Sequence, residues 1–159
     1  MENLKRKLFL CDLDNTLIYS YKQEIGSHKV LVETMDERAL SYMTGLSFRL
    51  LKEIESGFLL VPATTRSLAQ YRRIWLFQDN VPEYALVSNG GHLLRKGEPD
   101  PVWYEESQAM AETAAGEFSQ AEVILRKDPG LSFEIRMVDG LFLFTKSREP
   151  DATVERLTA

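Results

Sequence analysis

Asp12 and Asp14 stand two positions apart, immediately behind the apolar run Leu8-Phe9-Leu10-Cys11. Carboxylates that close repel one another unless a cation or a shared proton compensates. Mg²⁺ is the ready cation, because it accepts one or two carboxylates and completes its shell with water and substrate phosphate. The plainer reading is an Asx-rich turn closing a strand, since Asp and Asn, including Asn15 here, are ordinary turn residues. Further along, Thr64-Thr65-Arg66-Ser67 follows a second apolar run, and Asn89-Gly90-Gly91 follows a third. Thr64 and Ser67 are of the types that cap helix N-termini, and Asn-Gly is a turn signal.

Strands must position these groups. Residues 8–11, 58–61 and 84–88 read as buried strands, and each delivers one group at its C-terminal end, where an open α/β sheet keeps its ligands. Leu46, Leu50 and Ile54, with Leu51 beside them, recur at helical spacing and stop at Gly57. Strand, helix and strand then make a parallel crossover. Alternation in 17–21 and 29–33 around Gly26-Ser27 predicts a β-hairpin, a flap over about 17–36. His28 near its tip reads as a solvated turn residue, since no other His or Cys accompanies it. Leu68, Tyr71 and Trp75 predict a helix over 67–77 with an apolar face turned inward.

Beyond Gly97-Glu98-Pro99-Asp100-Pro101 the composition changes. A helix carrying Ala111, Ala114, Ala115 and Phe118 is expected, then strands over 122–126, 131–137 and 141–146. Asp128-Pro129-Gly130 and Asp139-Gly140 supply the turns between them, and a last helix starts near Ala152. The fold class is α/β, with a parallel αβα core over 1–90 and an α+β lobe over 91–159.

The motifs carry a family resemblance. Asp12-Leu13-Asp14-Asn15-Thr16-Leu17 resembles the first motif, DxDxT, of the haloacid-dehalogenase-like (HAD) phosphohydrolases. The resemblance implies that Asp12 is a nucleophile forming a transient aspartyl phosphate. It makes Asp14 the general acid/base, with a backbone carbonyl that helps hold Mg²⁺. Such a nucleophile works only where metal and donors neutralise the phosphoryl group and a neighbouring acid protonates the leaving oxygen. Thr64 resembles the second motif, a Thr or Ser that donates to the transferring oxygens with help from the amides that follow. Arg66 is similar to the Arg of the T-G-R-S form in sugar-phosphatase-like members, with Thr65 standing where Gly is usual. Asn89-Gly90-Gly91 resembles the N-G-A turn of the capped subgroup that includes sucrose-phosphate phosphatase and Cof-like enzymes.

These landmarks occur in the family's order, each after a strand. The resemblance therefore implies a Rossmann-like core with an α+β cap, Mg²⁺ on Asp12 and Asp14, and a small phosphorylated metabolite as substrate. Substrate contacts would come from Leu13, Thr16, Thr65, Arg66, Asn89 and Gly90. Tyr42-Met43-Thr44-Gly45, Val61-Pro62-Ala63-Thr64-Thr65-Arg66 and Gln70-Tyr71-Arg72-Arg73-Ile74 are similar to stretches of bacterial HAD proteins of unassigned substrate, often encoded near tellurite-resistance or stress genes. The separation of Asp12 from Thr64 implies an enlarged flap. No match to the family's third-motif Lys or fourth-motif G-D-x-x-x-D is found up to Ala159. The expectation is an N-terminal part of a longer chain, ending inside the cap and with little activity alone. Its Asp12 strand would lack one neighbour, favouring a homo-oligomer or poor solubility. The alternative function is a non-catalytic HAD-like domain that binds phosphate or a protein.

Composition narrows the classes. One domain plus a small lobe fits 159 residues, and an apolar fraction of 44% can supply a core. A net charge of −5 argues against a general nucleic-acid binder. The single Cys11 cannot form an internal disulfide, which fits a reducing cytoplasm. No apolar run approaches membrane-spanning length, and the run after Lys5-Arg6-Lys7 is too short for a signal peptide.

Overall fold

Ten strands and five α-helices are laid out in a computed structural model that describes residues 6–131 and 134–158. The strands are β1 (Lys7–Asp12), β2 (Tyr19–Ser20), β3 (Lys29–Met35), β4 (Arg38–Thr44), β5 (Phe58–Ala63), β6 (Tyr84–Val87), β7 (His92–Arg95), β8 (Glu98–Pro99), β9 (Arg136–Val138) and β10 (Phe142–Phe144). The helices are α1 (Gly45–Gly57), α2 (Leu68–Tyr71), α3 (Pro101–Thr113), α4 (Ala115–Leu125) and α5 (Pro150–Thr158). The chain divides into two units, Met1–Pro101 and Val102–Ala159. None of the described helices is long and apolar enough to cross a membrane.

In the first unit the three apolar runs become neighbours. β1 and β5 pair in parallel from Lys7 with Phe58 to Asp12 with Ala63, so both strands end at one level. β6 joins β5 in parallel at Ala63 and Leu86, and β7 and β8 continue the sheet antiparallel. The result is a mixed five-stranded sheet in the order β1-β5-β6-β7-β8, within a mixed α/β fold. β1 holds the edge position expected for it, and Leu8 and Leu10 are 62% and 58% exposed. A second, antiparallel sheet runs β2-β4-β3. One apolar cluster, including Leu13, Ile18, Val32, Met43, Leu51 and Val87, joins residues of both sheets with α1. β4 leads directly into α1, whose first turn is capped by Thr44: its Oγ1 accepts from the Ser47 amide at 3.1 Å.

Several expectations are corrected here. β2 pairs with β4 rather than with β3, so no hairpin forms around Gly26-Ser27. The hairpin is β3–β4, closed by Asp36 and Glu37 at φ 50° and 64°. Two successive left-handed residues between paired Met35 and Arg38 make a type I′ turn, whose twist matches the strands it joins. Leu46 and Leu50 are 59% and 44% exposed, and the buried side of α1 is Leu51 with Phe48 against the core. The helix expected over 67–77 shortens to α2 and a separate 3-10 turn, Trp75–Phe77. Residues 122–125, expected to start a strand, complete α4, where Arg126 at its C-cap pairs with Glu122 one turn earlier.

In the second unit β9 and β10 form an antiparallel hairpin around Asp139-Gly140. The strand expected over 131–137 begins only at Arg136, and its positions 132 and 133 lie outside the described residues. Arg156 of α5 grips Asp128 with two bonds, Nε to Oδ2 and Nη2 to Oδ1, each 2.8 Å. A Cβ at Gly130 would collide with Thr153 and Arg156, which is why glycine follows Pro129. The Arg156 bonds hold the Asp128 carboxyl below its ordinary range.

Two predictions follow from these turns and pairs. Glu37→Gly, which creates the Asp-Gly pair favoured in type I′ turns, is expected to stabilise the chain by up to about 1 kcal/mol in urea denaturation. The Asp128 pair should act on stability from the acid side. Because the folded carboxyl titrates lower than the unfolded one, its contribution is full above the ordinary Asp range and is lost as pH falls through the depressed folded value. Hydrogen exchange of α5 amides should thus be less pH-sensitive in Asp128→Asn than in the wild type across that acid window.

Candidate active site

Parallel pairing of β1, β5 and β6 brings three loops to the same end of the sheet. Asp12, Ala63, Thr64, Thr65, Leu86, Asn89 and Gly90 line one open cleft of about 360 Å³ there. Five residues singled out from the sequence, Asp12, Thr64, Thr65, Asn89 and Gly90, thus meet around a single volume.

The loop after β1 is a tight knot. The Leu13 carbonyl accepts the amides of Thr16, Leu17 and Ile18, and Asn15 adopts φ 62°. That winding returns Thr16 to the nucleophile candidate, where its Oγ1 donates to Asp12 Oδ2 at 2.9 Å. Leu13, expected to contact substrate, is instead wholly buried in the core, and its carbonyl is taken up by the amides of Thr16, Leu17 and Ile18. Cys11 lies just beneath; burial, then the Asp12 charge, pushes its thiol up, which keeps it protonated and a poor nucleophile.

The loops after β5 and β6 are tied together through their backbones. Thr64 N–H donates to Leu86 O at 2.9 Å and Asn89 N–H to Thr64 O at 3.1 Å. Ser88, Asn89 and Gly90 all have positive φ, at 54°, 57° and 87°. Two consecutive non-glycine residues in that region are costly and persist where surrounding bonds over-determine them. Here Ser88 N–H donates to Arg66 O at 2.7 Å, and Gly91 N–H to Ser88 O at 3.1 Å. Thr65, where the resembled family has Gly, is not among the positive-φ residues, so the turn accepts its side chain without left-handed strain. Ser67 caps α2 through a reciprocal box with Gln70, which leaves Thr64 to cap nothing but the Arg66 amide, at 3.2 Å.

Asp14 and Arg66 form a separate arrangement beside the cleft. Arg66 Nε donates to Asp14 Oδ2 and Nη2 to Oδ1, both at 2.8 Å, a bidentate pair. The third arm, Nη1, reaches Glu33 Oε2 at 2.9 Å. Glu33 is almost wholly buried, accepts Ser41 Oγ at 2.6 Å, and takes Arg73 Nε on its other oxygen at 3.1 Å. Burial works against the Arg66 charge, yet the bonds and charges of Asp14 and Glu33 hold its pKa above the ordinary value. Arg66 therefore spends its guanidinium on two carboxylates of this chain. Glu33, Ser41 and Arg73 were not among the site residues expected from the sequence; for Glu33 the one signal was an acid closing the apolar run Val30-Leu31-Val32.

Among the described residues no group of three His, Cys, Asp or Glu is arranged to hold a metal ion. The donors at hand are the Asp12 carboxylate and the main chain around Asp14, a sparse oxygen set. Mg²⁺ accepts such a set, because it keeps several waters and takes substrate phosphate. No protein-family model matches the chain, and a search of curated proteins returned no match.

The ion-pair cluster sets a measurable expectation. Arg66→Met leaves Glu33 buried with one cation fewer, and should lower the unfolding free energy by about 3 kcal/mol, the range for breaking a buried pair by removing one partner. Chemical denaturation of the two proteins side by side checks this.

Proposed function

We propose that the chain is a Mg²⁺-dependent phosphohydrolase of the HAD type, acting on a small phosphorylated metabolite through an aspartyl phosphate on Asp12. The observation that carries this reading is the convergence of Asp12, Thr64, Thr65, Asn89 and Gly90 on one cleft at the C-terminal ends of β1, β5 and β6. In this reading the first unit belongs to a Rossmann-like HAD core and the second to its α+β cap. The enzyme is cytoplasmic, which agrees with its lone buried cysteine. The exposed edge of β1 supports a homo-oligomer.

In the chemistry proposed, an Asp12 oxygen attacks phosphorus in line, and the ester P–O bond breaks as Asp14 gives a proton to the departing alkoxide. Thr16 holds the other Asp12 oxygen, so one lone pair points at the substrate. The Thr64 hydroxyl and the Thr65 amide stabilise charge on the phosphoryl oxygens. Water, deprotonated by Asp14, then attacks the phosphorus of the acyl phosphate; the bond to Asp12 breaks and inorganic phosphate leaves. Bound at Asp12 and the Asp14 carbonyl, Mg²⁺ would neutralise phosphate charge.

One observation favours a second reading, a binding domain without turnover. Both Asp14 oxygens are engaged by Arg66, so neither can reach a leaving oxygen or a water without breaking that bidentate pair. The two readings separate on phosphate release from a panel of phosphomonoesters. For the enzyme, Asp12→Asn should abolish release, Thr64→Ala should lower kcat about 10²- to 10³-fold, and EDTA should stop the reaction until Mg²⁺ is restored. For the binding domain, inorganic phosphate binds in calorimetry and no ester is cleaved.

A further inference from the structure

Glu33 is the least expected residue in the first unit. Strand residues alternate between faces, yet Val32 and Glu33 are both buried, at 0% and 1% exposure. The cause is local: pairing of β3 with β4 slips by one at Glu33, which sits opposite Ser41, and slips back at Thr34. Irregularities of this kind re-aim side chains, and here the re-aimed chain is a carboxylate. Its main chain also bridges to Ile74, so the flap is fixed at that point from two sides.

Taking a carboxylate out of water is costly, and a strand of this length could bury an apolar residue instead. The charge does something that an apolar residue cannot. Two guanidinium groups and a hydroxyl converge on Glu33, and one of those guanidinium groups is the same Arg66 that grips Asp14 with its other two nitrogens. A guanidinium is a flat, rigid fork, so fixing Nη1 on Glu33 fixes the plane in which Nε and Nη2 present themselves. Ser41 lies within 3.5 Å of Nη2 as well, bracing that arm.

We infer that Glu33 is a positioning residue: from the flap it sets the Arg66 fork, and the fork sets the orientation of the Asp14 carboxyl two residues from Asp12. This rests on the phosphohydrolase reading for what Asp14 does, and it assigns Arg66 to Asp14 rather than to substrate phosphate. The flap is thereby made part of the catalytic geometry, since Glu33 belongs to β3 and Asp14 to the loop after β1.

The test has an arm that needs no turnover. In the wild-type chain, Nε–H exchange of Arg66, followed by NMR, should be at least about tenfold slower than at exposed Arg49, as expected for a bonded and partly buried donor. Glu33→Gln, which keeps shape and removes the charge, should bring the Arg66 rate most of the way back, with Asp14 unaltered. An unchanged Arg66 rate in a folded Glu33→Gln overturns the inference. Should that variant fail to fold, Ser41→Ala carries the same test, because it loosens Glu33 without removing a charge.

The second arm is kinetic and separates positioning from structural support. On an ester that the wild type cleaves, Glu33→Gln should lower kcat about 10- to 100-fold, as misplacement of a reacting group does, with KM changed less than about threefold. Glu33→Asp should recover part of kcat. An equal loss in both variants, or a loss confined to KM, overturns it. If the wild type cleaves no ester at all, the phosphohydrolase reading fails, and the exchange arm still decides whether Glu33 sets the Arg66 fork.

Discussion

The bidentate bond between Arg66 and Asp14 is the constraint on which the rest of the first unit turns. Through its side chain Arg66 holds the loop after β1 and the flap; through its amide and carbonyl it holds Thr64 and Ser88. Three segments far apart in sequence, those of Asp14, Glu33 and Ser88, are thus referred to one loop. Ions removed from water gain on balance only when every arm is matched and the geometry is good. Here the matching is close to complete, which explains how two carboxylates and two guanidinium groups persist beside an apolar core.

Much of this was legible in the residues. The three apolar strands, their order and the groups at their ends were readable, because strand formation and turn chemistry are local properties. The burial expected of residues 8–11 was not, since Leu8 and Leu10 are exposed on an edge strand. Asp12 meets Thr64 and Asn89 because the parallel register of β1, β5 and β6 brings their C-terminal ends to one level. The flap was legible in kind but not in pairing. Gly26-Ser27 looks like a hairpin turn, whereas Asp36-Glu37 does not, since a Glu with positive φ is rare and only the strands on either side enforce it. Helical stripes misled at α1, where Leu46 and Leu50 fit the period and yet face outward.

What sequence could not give was the partner of each charge. Arg66 looks like a phosphate ligand because Arg often is one, and nothing local says that Asp14 and Glu33 will reach it first. Glu33 itself is hidden by a slip of pairing, a property of two strands together that neither strand carries alone. The same holds in the second unit, where Asp128 reads as a turn residue and also anchors Arg156 of α5.

The slip at Glu33 and its reversal at Thr34 also constrain how the flap can vary in length. The pairs on either side, Leu31 with Tyr42 and Thr34 with Ala39, keep one common register, so the two irregularities cancel. A residue gained or lost on one strand between them would leave the slip uncompensated. From there to the Asp36-Glu37 tip, every side chain would exchange its inner face for its outer one. Insertions and deletions are therefore tolerable in the 21–28 connection, which lies outside these strands, and not within the short span from Leu31 to Thr34.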